Sequence, residues 1–210
     1  MFAIVVVTFA FASGRASAQE PPADPAHPSG QPHGTFDGFG QFLGGAAVGL
    51  GTHEAGHVFF DVLFDAQPGL GKVNFHGLPF FAITHRSGMP PRQEFVISSA
   101  GFWVQHAESE WLLTKRPRLR HEHAPFAKGV LAFDVLASVA YAGAAFAKTG
   151  PVERDTRGMA ESARIDERWI GAMLLGPALI DAYRYFHPES KWAPWTSRAA
   201  KIGMVLLVLR

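Results

Sequence analysis

From Phe126 to Ala147 the chain carries only two charged side chains, Lys128 near the start and Asp134 inside. A helix over such a stretch covers about 30 Å at about 1.5 Å per residue, the thickness of a hydrocarbon core, so this segment is expected to span a membrane. Phe36–Phe64, Glu94–Leu113 and Trp169–Phe186 are also long and apolar, and they alternate with short polar connections. They read as three further spans. Ile202–Leu209 is too short by itself and makes a fifth span only if it reaches back to Thr196, the alternative being an interfacial cap. Lys72–Thr84 places β-branched and aromatic residues around a Gly77-Leu78-Pro79 break, which predicts two short strands and a turn. The expected fold is mainly α: a polytopic membrane helix bundle of four or five spans, with a short β-hairpin after the first.

The N-terminal region has a different character. Residues 1–18 join an apolar run, Phe2 to Ala12, to the small residues Ala16-Ser17-Ala18, the pattern of a secretory signal cleaved before Gln19. Residues 19–35 are proline-rich and nearly free of large apolar side chains, so they are expected to form a flexible linker that holds His27 and His33 in solvent. The membrane domain is then 36–210. A cleaved signal puts the linker on the non-cytoplasmic side of the membrane, expected to be a bacterial inner membrane, and the next loop but one outside as well. That loop carries Lys115, Arg116, Arg118 and Arg120, which the positive-inside rule assigns to the cytoplasm, so the two arguments leave orientation open.

Composition narrows the chemistry. Apolar residues make up 48% of the chain and charged residues 18%, in keeping with contact with a lipid bilayer. Nineteen basic and 18 acidic side chains give a formal charge of +1, which supplies no field for nucleic acid. There is no cysteine, so any metal must be held by histidine and carboxylate.

His53-Glu54-Ala55-Gly56-His57 lies inside the first apolar segment. Two histidines four positions apart share one helix face and can share one ion, zinc being the expected one, while Glu54 is set to act as general base on the attacking water. Ionisable residues in such a segment are costly in lipid unless they face the bundle interior and do chemistry there. Two histidines leave a catalytic zinc short of a third protein ligand, and Asp61, Glu94, Glu108, Asp134 and Asp181 are candidates. Asp61 lies about 12 Å along the same helix from His53, too far to converge on the same ion. Asp181 follows Pro177 on a separate apolar segment, where an irregular turn could aim a carboxylate inward, and Glu108 is the reserve. Gln105, His106, Glu108 and Glu110 read foremost as a polar helix end, and His121-Glu122-His123 as a solvated loop.

These residues resemble the site-2 protease family of intramembrane zinc metallopeptidases. HEAGH sits in an apolar helix and a hairpin segment follows. Glu94–Phe102 (EFVISSAGF) is similar to the family's Glu-Phe run ending in Ala-Gly-Pro. Leu174–Phe186 (LLGPALIDAYRYF) looks like its late helix with Pro and Leu-Asp-Gly. The likeness covers roughly residues 36–186 and departs from the family at Phe102 and Ala182, where Pro and Gly are usual, and before Pro177, where an Asn is missing. It implies that His53, His57 and Asp181 ligate Zn2+, that Glu54 activates water, and that the substrate is a polypeptide in or beside the membrane. Two other readings are a non-enzymatic membrane scaffold or pseudoprotease, and a membrane di-iron oxygenase, since HEAGH is also HxxxH and His121 and His123 add a second His-rich element.

Overall fold

The structure is a computed structural model that describes residues 35–75 and 78–206. The expected signal, and the linker up to residue 34, lie outside the described residues.

The chain is mainly helical. Helix α1 runs Thr35–Leu63 and ends in a tight reversal in which Asp65 and Gln67 take positive φ (52° and 56°). Strands β1 (Gly69–Phe75) and β2 (Leu78–Thr84) follow as an antiparallel pair, with Gly69 opposite Thr84 and Phe75 opposite Leu78. Pro91 then opens α2 (Pro91–Lys115), where a missing N–H costs nothing in the first turn. After a short 3-10 turn at Leu119–His121, Pro125 opens α3 (Pro125–Ala147) in the same way, and Lys148 closes it in the left-handed conformation at φ 51°. A short helix α4 (Asp155–Ala163), then α5 (Glu167–Phe186) and α6 (Ala193–Leu206) complete the described chain. The Asp166 side chain caps α5 by accepting from the Arg168 N–H at 2.9 Å.

The expected long segments and the hairpin correspond to α1, α2, α3, α5 and β1–β2, within a few residues at each end. Helix α4 falls in the connection that the sequence reading left without structure. Among the described residues only α3 is both long and apolar enough to cross a membrane by those two measures.

Helix α3 sits between α1 and α5. It meets α1 at backbone distance: a Cβ on Gly45 would lie 2.0 Å from the Phe126 carbonyl oxygen, and one on Gly129 would lie 2.0 Å from that of Phe42. On its other side Ala142 and Ala145 receive Gly171 of α5. A core of Phe95, Phe102, Met159, Ile170, Leu174 and Met204 ties α2, α4, α5 and α6 together. The outward faces of α1 and α3 are apolar: Phe39, Leu43, Leu50 and Val62 of α1, and Leu136 and Val139 of α3, are all exposed.

Candidate metal centre

Helix periodicity stacks His53 and His57 one turn apart on α1, and both are buried, at 2% and 5% exposure. Their Nε2 atoms lie 3.2 Å apart. Helix α2 holds one ring by a hydrogen bond and the other by packing. His57 donates from Nδ1 to the Ile97 carbonyl oxygen at 2.8 Å, which leaves the Nε2 lone pair facing His53. The His53 ring lies over Gly101, where a Cβ would come within 2.4 Å of it, and Phe102 packs edge-on at 5.3 Å between centroids.

The third group comes from α4. Asp155 Oδ2 lies 3.5 Å from His53 Nε2 and 3.6 Å from His57 Nε2. Among the described residues, His53, His57 and Asp155 are the set of side chains able to hold a metal ion. Burial by itself would raise the Asp155 carboxyl. The charge of His57, with hydrogen bonds from both histidines, overrides this and holds it well below the usual carboxylate range.

The fit to a metal can be tested on distances. Ligand atoms about 2.05 Å from a tetrahedral zinc are separated by about 3.3 Å, and the three donor separations here bracket that value. Two imidazole Nε2 atoms and a carboxylate oxygen converging in a buried site form a group that could hold a metal ion. Three protein donors would leave one position of a tetrahedral ion open. No family model, curated protein or solved structure matches this chain.

Asp155 is held from both sides in sequence. Its neighbour Arg154 pairs with Glu167 through two bonds of 2.7 Å, and Thr156 donates to Glu167 Oε1 at 2.7 Å. Helix α4 packs closely on α2 as well, since a Cβ on Gly158 would lie 2.3 Å from Ser98 Oγ.

Asp181, expected as the third ligand, is not brought to the histidines. Its carboxylate accepts from Ser197 Oγ at 2.6 Å and Ser109 Oγ at 2.8 Å and pairs with Lys201 Nζ at 2.7 Å, which joins α5 to α2 and α6. The glycines of α1 and α5 serve other neighbours: Gly49 receives Phe133, Gly56 receives Ala100 and Gly171 receives α3. With α3 between them, α5 cannot deliver Asp181 to α1. Glu108, the reserve ligand, accepts from the Thr52 hydroxyl at 2.8 Å. Asp61 is buried and faces His85 Nδ1 at 3.6 Å. His121 and His123 are exposed and take no part in the group.

Asp155 escaped the sequence reading because carboxylates were weighed almost wholly within apolar segments. A signal was present: Thr156, Met159, Ala160 and Ala163 recur at helical spacing, marking a short amphipathic helix with Asp155 at its start. Gly101 was likewise invisible as a requirement of His53. Gly101→Ala is expected to displace the His53 ring and weaken binding of a metal ion at the group at least about 10-fold, with an overpacking cost of about 1–3 kcal/mol. Gly143→Ala on α3, where a Cβ would meet nothing within 4 Å, should leave metal affinity unchanged. Chelator competition on both variants checks this.

Proposed function

We propose that this chain is a membrane-embedded zinc metallopeptidase whose metal is held by His53, His57 and Asp155 and whose general base is Glu54. The observation that carries the reading is the convergence of two imidazole Nε2 atoms and one carboxylate oxygen at tetrahedral-edge separations, from helices that do not adjoin in sequence. Glu54 is half-buried beside His53 and within electrostatic reach of His57 and Asp155, where a base that is not a ligand belongs.

A divalent ion held there supplies the Lewis acidity that makes water nucleophilic near neutral pH. The protein's own groups do the rest. Glu54 takes the proton from the attacking water and returns it to the leaving amine. Ile97 holds His57 in the tautomer that keeps Nε2 free, and the aromatic wall of Phe102, Phe133 and Tyr141 around His53 keeps bulk water from that side.

Two features favour peptide hydrolysis at a bilayer. The EFVISSAGF run, one of the stretches that resemble the site-2 protease family, is the part of α2 that packs on the histidines, through Ile97, Gly101 and Phe102. The exposed apolar faces of α1 and α3 suit lipid and are hard to reconcile with water. In that setting α1, α2, α3 and α5 are the spans, and the substrate is a membrane-embedded or membrane-proximal polypeptide.

The test begins with protein purified in detergent from carbonate-washed membranes. It is expected to carry about one zinc ion per chain and to cleave an unstructured peptide. Dipicolinate should abolish cleavage and added zinc restore it. Recovery in the soluble fraction would overturn the membrane reading; iron in place of zinc would favour the oxygenase class, and no metal a scaffold.

A further inference from the structure

Where α2 ends and α3 begins, four basic side chains, Lys115, Arg116, Arg118 and Arg120, are all exposed. Other helix ends gather around them: Leu113 and Leu119 share an apolar cluster with Leu131 and Tyr185, Arg120 donates to the Phe186 carbonyl oxygen at 3.2 Å, and Arg198 reaches the Thr114 hydroxyl at 3.2 Å. The same end carries Trp111, Trp192 and Trp195, each more than half exposed. We propose that this end of the molecule is a binding surface for the phosphate headgroups of anionic phospholipids. Such a surface goes beyond the metal centre and rests on the membrane setting of the chain, not on its chemistry.

The positive charge here is mostly unmatched. Among the described residues Arg116 meets Glu122 at 3.5 Å, whereas Lys115, Arg118 and Arg120 have no carboxylate at ion-pair distance. At the opposite end carboxylates are interspersed, pairing Asp166 with Lys148, Glu167 with Arg154 and Glu161 with Arg157. Each unmatched cation near a bilayer adds to the attraction for anionic headgroups. Charge alone would suit a nucleic acid as well, and the aromatic residues decide between them. Tryptophan favours the headgroup level, where its ring meets hydrocarbon and its N–H meets polar groups. Here cations lie over such rings: the Arg198 guanidinium is 5.4 Å from the centre of the Trp195 ring, and that of Arg120 is 5.3 Å from the centre of the Phe186 ring. The exposed apolar surface of Phe39, Leu43 and Phe126 begins at the same end, since α1 meets the start of α3 there. Between the helix ends lies a cleft of about 260 Å³, its open side included, lined by Leu113, Pro117, Arg184, His187 and Ser190 among others. The Ser190 hydroxyl is buried without a partner among the described residues, which leaves it a donor for a headgroup oxygen.

The test titrates delipidated, detergent-purified full-length protein with phosphatidylglycerol or with phosphatidylcholine of the same acyl chains, and counts bound lipid by native mass spectrometry. Phosphatidylglycerol should reach half-occupancy at a concentration at least about 10-fold lower than phosphatidylcholine. Lys115→Gln combined with Arg118→Gln removes two exposed charges that have no ion-pair partner among the described residues, and should bring that preference below about 3-fold. Lys72→Gln combined with Arg168→Gln, at the opposite end, should leave it unchanged. Equal binding of the two lipids by the wild-type protein would overturn the surface, as would capture of a single-stranded oligonucleotide by residues 115–120 in place of lipid. A preference that survives Lys115→Gln with Arg118→Gln, or that falls equally in the Lys72 and Arg168 variant, would overturn its location. Each of these failures leaves the metal centre standing. Recovery of the wild-type protein in the soluble fraction would instead overturn the membrane setting, and this inference with it.

Discussion

Asp155→Ala is expected to strip zinc from the protein while leaving it folded, and Asp181→Ala to do the reverse. Without Asp155 only the two imidazoles of α1 remain, and both approach the ion from one side, so the ion is neither fixed nor retained against a chelator. The fold should tolerate the loss. The clasp that docks α4 is made by Arg154, Thr156 and Glu167, and Met159 and Ala160 anchor it in the core. Removing Asp181 has a different consequence, because its carboxylate is the partner of buried Lys201 and of the hydroxyls of Ser109 and Ser197. A buried charge left without its partner costs about 3–5 kcal/mol, only partly offset here because Glu110 also reaches Lys201 at 3.4 Å. Metal content by elemental analysis and thermal midpoint, measured on both variants, separate the two roles. Zinc lost from Asp181→Ala but kept by Asp155→Ala would return the third ligand to α5.

The second large effect is on turnover. Glu54→Gln is expected to reduce peptide hydrolysis roughly 100- to 10,000-fold while zinc stays bound, since glutamine keeps the size and polarity of the side chain but cannot take a proton. Glu54 neighbours His53 in sequence and is absent from the group of donor atoms that converge, so the coordination should be untouched. Zinc content and cleavage rate measured on the same preparation decide this. Loss of zinc in Glu54→Gln would place Glu54 in the coordination sphere, and unimpaired cleavage would remove it from the chemistry.

The two histidines were legible because their relation is local. Four residues of α-helix bring His57 over His53 wherever that helix is placed, and the 3.2 Å between their Nε2 atoms realises the spacing. The long helices were legible for a similar reason: apolar length and breakers such as Pro91, Pro125 and Gly88-Met89-Pro90 act within the segment that contains them. Helix α4 was not, since nine residues with several charges form a stable helix only when Met159 and Ala160 are docked on a core assembled elsewhere.

What the sequence determined by itself about this protein is thus the set of long helices, the hairpin between the first two and the pair of imidazoles on one face of α1. Which carboxylate joins them was decided by the tertiary structure. Asp155 and Asp181 are both acidic residues distant in sequence from HEAGH, and no periodicity distinguishes them. The distinction arises from packing order: Gly45 and Gly129 let α1 and α3 approach to backbone contact, α3 takes the place beside α1, and α5 is left on its far side with Asp181 turned to Lys201. Among the described residues it is α4, docked on α2 through Gly158 and Ser98, that then brings a carboxylate within reach of both histidines.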